Sequence, residues 1–244
     1  MHAGRYQAIF DAEEKNWWYR VRRKLIYALV RKLSPGDKLN ILDIGCGTGR
    51  NIMLLNDFGT AHGVDVSKYA IDFCKKRELK NVHLIKNNRY PFRAGSFDLV
   101  TCFDVLEHVG DEGALLSEAY RVLRKDGHIL LTVAASPILW SKLDTDSHHL
   151  RRYVKKGLEE ALLHIGFAIE RISYFNYVLF FPILLVRLFQ KLPFGKNTSW
   201  GIRPDFESAR LNHILEPIFT ADINSLTYIS PPFGVSLFAV ARKL

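Results

Sequence analysis

The sequence predicts an α/β fold in which a mostly parallel sheet is flanked by helices. Short apolar runs alternate with helical patterns between residues 39 and 133, which is the βαβ rhythm of a parallel sheet. The first run, Leu39–Ile44, leads directly into three glycines at alternate positions, Gly45, Gly47 and Gly49. The second run ends in an acid, Asp65. These observations place a ligand site at the carboxyl ends of the first two strands.

The turn at residues 45–49 has the features of an anion-binding site. Glycine has no Cβ, so ligands can approach the backbone closely, and the N-terminus of the following helix favours negative charge. Asp43 at the strand end can order this turn or meet a cation. Asp65 lies 18 residues beyond Gly47 and can bind both hydroxyls of a ribose. Together these features favour a ligand site over a loop that only turns the chain.

The pattern D-x-G-x-G-x-G after the first strand resembles the first motif of the class I S-adenosylmethionine (SAM) dependent methyltransferases, of the bacterial UbiE/UbiG-like type. In the dinucleotide fingerprint G-x-G-x-x-G the third glycine falls one residue later. The segment P-F-R-A-G-S-F-D before the fourth strand resembles the middle of the same family. The resemblance covers residues 36–135. It implies SAM as cofactor, S-adenosylhomocysteine (SAH) as product, and a Rossmann-like seven-stranded sheet of order 3-2-1-4-5-7-6.

The resemblance also implies which residues bind the cofactor. After the third strand the family usually has an aspartate that receives the adenine amino group, whereas this sequence has Lys86, Asn87 and Asn88. An asparagine oxygen can accept the same hydrogen bond, so Asn87 is the candidate. The full implied set is Asp43, Gly45, Cys46, Gly47, Asp65, Val66, Asn87 and Phe103.

The remaining pattern predicts three regions. Residues 1–35 form a helical cap, residues 36–175 and 230–244 form the SAM-binding domain, and residues 176–229 form a helical insertion between strands six and seven. Predicted helices cover residues 6–33, 50–58, 67–78, 114–124, 158–165 and 207–222. Predicted strands after the first cover residues 61–65, 82–86, 97–103, 127–133, 167–174 and 234–242, the last one antiparallel.

The cap contains the segment N-W-W-Y-R-V-R-R, which has two interpretations. Its aromatic side chains can pack on the sheet, or the segment can act as a lid over the cofactor. In the second interpretation Tyr19 or Arg22 meets SAM or the substrate.

The polar segment at residues 140–153, W-S-K-L-D-T-D-S-H-H-L-R-R-Y, follows the fifth strand and is expected to face the substrate. It resembles a D-x-x-x-H-x-R-R-Y segment of bacterial methyltransferases associated with glycan and lipid-linked substrates. A hydroxyl acceptor needs a base near neutral pH, and the catalytic candidates are His149, His148 and His108. The alternative is a solvated loop with locally satisfied side chains.

A second hypothesis concerns the sequence D-x-x-E-H after the fourth strand. Asp104, Glu107 and His108 could hold a divalent cation together with His148 or His149. The same residues can instead order the loop without a metal, and we favour that interpretation, so no metal site is predicted.

Charge and composition bear on the partners. The net charge of +9 indicates an anionic partner. Residues 171–204 hold five Lys or Arg and no acid, and they include an apolar run at residues 177–186 that is too short to span a bilayer. This region favours an anionic membrane surface, met through Arg187, Lys191 and Lys196. The alternatives are a buried helix and a dimer contact.

Three scattered cysteines without a C-x-x-C pair, and a start without a signal-peptide pattern, predict a cytoplasmic protein. The basic apolar region at residues 171–204 extends this expectation to a peripheral position at the inner face of the membrane. The predicted activity is O-methylation of a small or lipid-linked acceptor of glycan or quinone type. The alternatives are a non-catalytic SAM-fold binding protein at the membrane and an RNA methyltransferase. Nucleic acid is the less favoured partner, because no N-P-P-Y or D-P-P-Y tetrapeptide follows the fourth strand. The sequence does not set the oligomeric state.

Overall fold

A computed structural model describes residues 3–34, 36, 38–86, 89–191 and 209–244. Its strands are β1 (Leu39–Ile44), β2 (Gly59–Asp65), β3 (Val82–Leu84), β4 (Phe97–Phe103), β5 (Leu123–Ala134), β6 (Phe167–Phe175) and β7 (Ser236–Lys243). Its α-helices are α1 (Ala3–Ala12), α2 (Trp17–Leu33), α3 (Arg50–Leu55), α4 (Lys68–Lys76), α5 (Glu112–Val122), α6 (Lys142–Asp146), α7 (Lys155–Ile165), α8 (Phe180–Lys191) and α9 (Ala209–Ser225).

The strands form one sheet of order β3-β2-β1-β4-β5-β7-β6. Strands β1 to β5 pair in parallel, and β7 inserts antiparallel between β5 and β6. The predicted order and the antiparallel last strand are therefore confirmed.

Two apolar clusters lie on opposite faces of this sheet. Successive side chains of a strand point to opposite faces, and Leu42 and Ile44 of β1 belong to one cluster whereas Ile41 belongs to the other. The first cluster contains residues of α5 and α7, and the second contains residues of α2, α3 and α9. The central strands read as continuous apolar runs because both of their faces are buried.

The cap and the insertion pack together on the second face. The Trp18 ring stacks on Phe219 of α9, with centroids 5.1 Å apart and an interplanar angle of 6°. The Asp222 carboxylate accepts hydrogen bonds from the backbone N–H groups of Asn176 at 2.8 Å and Val178 at 3.0 Å. Helix α9 thus holds both the cap and the chain that leaves β6.

Helix α8 begins three residues into the apolar run of residues 177–186. No helix in the described ranges is long and apolar enough to cross a membrane. Lys196 and Arg203 lie outside the described residues, and the side chain of Lys191 is not described.

Candidate active site

The ends of the central strands open into one cavity of about 480 Å³. Ile44, Asp65, Phe103 and Ala134, at or next to the carboxyl ends of β1, β2, β4 and β5, all line it. Ligands of open α/β sheets bind at this edge. The cap, the polar segment of residues 140–153 and α8 line the other sides. The volume lies within the roughly 300–1,000 Å³ of small-molecule sites.

The glycine turn after β1 forms one end of the cavity. Gly45 and Gly47 have φ values of 67° and 55°, which residues with a side chain rarely adopt. A Cβ at Gly45 would lie 2.4 Å from Val105, whereas a Cβ at Gly47 would meet no atom within 4 Å. The backbone at Gly47 therefore has free space beside it, as a ligand contact requires.

The Asp65 carboxylate is fixed beside this turn. It accepts hydrogen bonds from the backbone N–H groups of Gly47 at 3.0 Å and Ser67 at 2.8 Å. Burial raises the pKa of Asp65, and these hydrogen bonds oppose the shift. Cys46 and Val66 line the cavity next to it. The set fits SAM, because a held carboxylate can bind ribose hydroxyls and the turn leaves room for an anionic tail.

Two of the predicted cofactor residues are not part of this lining. Asp43 is buried behind the turn, where one oxygen accepts a 2.8 Å hydrogen bond from the Thr101 hydroxyl and the other has no partner in the described structure. Burial raises the pKa of Asp43 to about 7, against the hydrogen bond from Thr101. Asn87 lies outside the described residues. Ile85 and Tyr90, on either side of it in sequence, line the cavity.

The cap is tied to both the turn and β4. Glu13, directly after α1, accepts hydrogen bonds from the Thr48 hydroxyl and from Arg77, the latter at 2.9 Å. Arg22 of α2 pairs with Asp104, which also accepts a 2.7 Å hydrogen bond from the Thr132 hydroxyl. Arg22 and Tyr19, the two lid residues named from the sequence, both line the cavity, as do Trp17 and Trp18.

The opposite end of the cavity is built around Asp144, which is 1% exposed. Its carboxylate accepts hydrogen bonds from His149 Nδ1 at 2.9 Å, Arg152 Nε at 2.7 Å and the Ser141 N–H at 2.9 Å. Burial acts to raise the pKa of Asp144, but the hydrogen bonds from His149 and Arg152 outweigh it and hold the pKa well below its usual range. With Nδ1–H donated to Asp144, the Nε2 atom of His149 is the ring's proton acceptor.

The other two candidate bases are placed differently. The His108 ring lines the cavity and packs edge-on against His149, with centroids 4.7 Å apart. Burial, and then the neighbouring His149, lower the pKa of His108 to about 4, so it is neutral at pH 7. His148 is exposed, has a φ of 58°, and is not among the lining residues.

Glu107 is buried and lines the same cavity as His108 and His149. One of its oxygens accepts a 2.9 Å hydrogen bond from the Ala134 N–H, and the other is buried without a partner in the described structure. Burial, and then the charge of Asp104, raise the pKa of Glu107 to about 8. Nowhere in the described part of the chain do three His, Cys, Asp or Glu side chains converge as metal ligands.

Sequence reasoning placed Arg187 at a membrane surface, and the structure corrects this. Arg187 is 8% exposed and lines the cavity from α8. Ile183, four residues earlier and therefore on the same side of the helix, also lines it. The sequence also gave no pairing for Asp144. The only available signal was the spacing S-x-x-D at Ser141, which here forms a capping box at the start of α6.

Comparison with known proteins agrees with this geometry. Residues 42–131 match the family model described as a methyltransferase domain. A probable SAM-dependent methyltransferase of Mycolicibacterium smegmatis is 27% identical over 64% of this chain and 62% of its own length. The ubiquinone biosynthesis O-methyltransferase of Marinobacter nauticus is 23% identical over 70% of this chain and 84% of its own.

Among solved structures, a SAM-dependent methyltransferase from Archaeoglobus fulgidus superposes with a TM-score of 0.57 at 22% identity, covering 91% of this chain and 94% of that one. The fold is thus the Rossmann-like fold of class I methyltransferases. The chain contains, in residues 42–131, a methyltransferase domain of the class I SAM-dependent type, and its cofactor is SAM. It spans about half the length of the first curated relatives it matches, which are 34% and 35% identical to it.

Replacing the carboxylate beside the turn tests the cofactor site. Asp65→Ala should weaken SAH binding by about 2–3 kcal/mol, because two charge-assisted contacts to the ribose are lost. Titration calorimetry measures the change directly. Asp57→Ala, which removes an exposed carboxylate before β2, should leave the affinity as it is. Equal SAH affinities for the two variants would show that Asp65 does not bind the cofactor.

Proposed function

We propose that the protein transfers a methyl group from SAM to a hydroxyl of a small or lipid-linked acceptor, with His149 as the base. One observation carries the proposal. A single cavity joins the glycine turn and Asp65 at one end to the Asp144 and His149 pair at the other. A donor site and a proton acceptor that line the same cavity are what O-methylation requires.

The side chains divide the chemistry between them. When bound, SAM supplies an electrophilic methyl group on a sulfonium, and the transfer leaves a neutral thioether. His149 takes the proton of the acceptor hydroxyl at Nε2 while the oxygen gains the methyl carbon. Asp144 fixes the tautomer of His149 and stabilises the imidazolium that forms. Helices α1 and α2 act as a lid, with Trp17 and Trp18 excluding water from the cavity.

The outer side of α8 supports an amphiphilic acceptor. Phe181 is 56% exposed and Leu185 is 67% exposed, and Val178, Leu188 and Phe189 are exposed beside them. The opposite side of the same helix lines the cavity through Ile183 and Arg187. An apolar surface over the cavity wall, in a basic region without acids, suits an anionic lipid surface from which a tailed acceptor enters. The name of the Marinobacter relative supports a quinone-like acceptor.

Exchange of the base tests the catalytic role. His149→Asn should lower kcat by about 100-fold or more, because proton removal by a positioned base contributes roughly 10²- to 10⁴-fold. The affinity for SAH should stay the same, since His149 lies at the acceptor end. The assay is transfer of label from SAM into separated lipid, glycan and RNA fractions.

The neighbouring histidine supplies the matched control. His148→Asn should retain the rate, because His148 is exposed and asparagine tolerates its positive φ. Undiminished transfer by His149→Asn would contradict the role of this residue. Label confined to the RNA fraction, or SAM binding without any transfer, would favour the rival functions.

Vesicle flotation tests the membrane surface. The protein should float with vesicles that contain phosphatidylglycerol at low salt. The double variant Phe181→Ser and Leu185→Ser should lower the membrane partition coefficient about 100-fold or more, because each inserted side chain contributes roughly 1.5–3 kcal/mol. Leu163→Ser on α7 removes a side chain of similar exposure, 52%, and should change nothing. A wild-type protein that stays in the unbound fraction would contradict membrane association and favour an acceptor free in solution.

A further inference from the structure

Arg187 is a buried cation with unused hydrogen-bonding capacity in the cavity wall. It is 8% exposed, its Nη1 donates to Gln190 Oε1 at 3.2 Å, and its Nε is buried without a partner in the described structure. Burial lowers the pKa of Arg187, and the charge of Arg152 adds to the shift. A guanidinium that is desolvated in this way is costly unless an anion pairs with it.

The Asp144 carboxylate, whose charge acts on Arg187, does not meet that need. Asp144 raises the pKa of Arg187 through its charge, but its oxygens already accept from His149, Arg152 and Ser141. Arg152 is also occupied, since its Nη1 donates to the Ala135 carbonyl oxygen at 2.8 Å. Among the described residues, Asp144 is therefore paired with Arg152, and Arg187 has no ion pair. The described side chains leave a positive charge at this end of the cavity, and Nε of Arg187 is the buried donor without an acceptor among them.

We propose that the acceptor carries an acidic group, a carboxylate or a phosphate, and that Arg187 binds it inside the cavity. The planar guanidinium suits either group, because both present two oxygens to its N–H fork. Arg187 and His149 line the same cavity, so pairing at Arg187 positions the acceptor for loss of its hydroxyl proton to His149. The inference rests on the proposed function for the identity of the ligand as acceptor. The anion site itself does not depend on turnover.

The experiment measures binding to the SAH-loaded protein and needs no methyl transfer. Three probes of similar size are titrated by calorimetry, namely 4-hydroxybenzoate, phenyl phosphate and the neutral 4-hydroxybenzamide. The expected result is that at least one acid binds about tenfold or more tightly than the amide. Which acid binds more tightly identifies carboxylate or phosphate as the group.

Variants of the arginine locate the site. Arg187→Gln should abolish the preference for the acid, and Arg187→Lys should keep part of it because the charge remains. Arg124→Gln is the matched control, since Arg124 is exposed and is not among the residues that line the cavity. Its Nη1 atom lies 2.7 Å from an oxygen of Asp98. The affinity for SAH should stay within about twofold in all three variants, which also shows that they fold.

Three results would overturn the proposal. They are equal binding of the acids and the amide by the wild type, no saturable binding of either acid, and a loss of SAH affinity in Arg187→Gln without loss of acid binding. The last result would assign Arg187 to the carboxylate of the cofactor. Acid binding through Arg187 together with no methyl transfer to any acceptor would instead contradict the proposed function and leave the anion site standing.

Discussion

The hydrogen bonds to the Asp144 carboxylate are the interaction on which the acceptor end of the cavity depends. This carboxylate joins the start of α6, through Ser141, to His149 and Arg152 further along the chain. Arg152 then anchors the segment to the end of β5 through the Ala135 carbonyl oxygen. Without the carboxylate, a buried guanidinium would lose its partner and the imidazole would lose its fixed tautomer. The Asp144 carboxylate therefore sets both the position of the polar segment and the tautomer of His149.

The two ends of the cavity are specified in different ways. At the glycine turn the ligand site is mainly backbone, and its shape follows from residues that allow positive φ, with Asp65 as the principal side chain. At the other end the site consists of side chains from the polar segment, the cap and α8. A backbone-defined site suits a constant cofactor, whereas a site made of loop and helix side chains can vary with the acceptor.

This difference explains what the sequence could predict. Apolar runs and the glycine spacing are local signals, and both the sheet order and the bounds of β1 and β4 agree with them. The pairing of Asp144 with His149 depends on a turn in which His148 takes a φ of 58°, and no local pattern predicts that. The sequence also did not predict which side of α8 faces the cavity. Its residues are apolar on several sides, so only packing decides that Arg187 faces the cavity.

The central claim is that the glycine turn and His149 serve one reaction space. A crystal structure of the SAH complex tests it most directly, through the position of the SAH sulfur relative to His149 Nε2. We predict that the ribose lies on Asp65 and that the sulfur faces His149 across the open cavity, with room for an acceptor oxygen between them. A sulfur atom turned away from His149, or one separated from it by the side chains of the cap, would contradict the account.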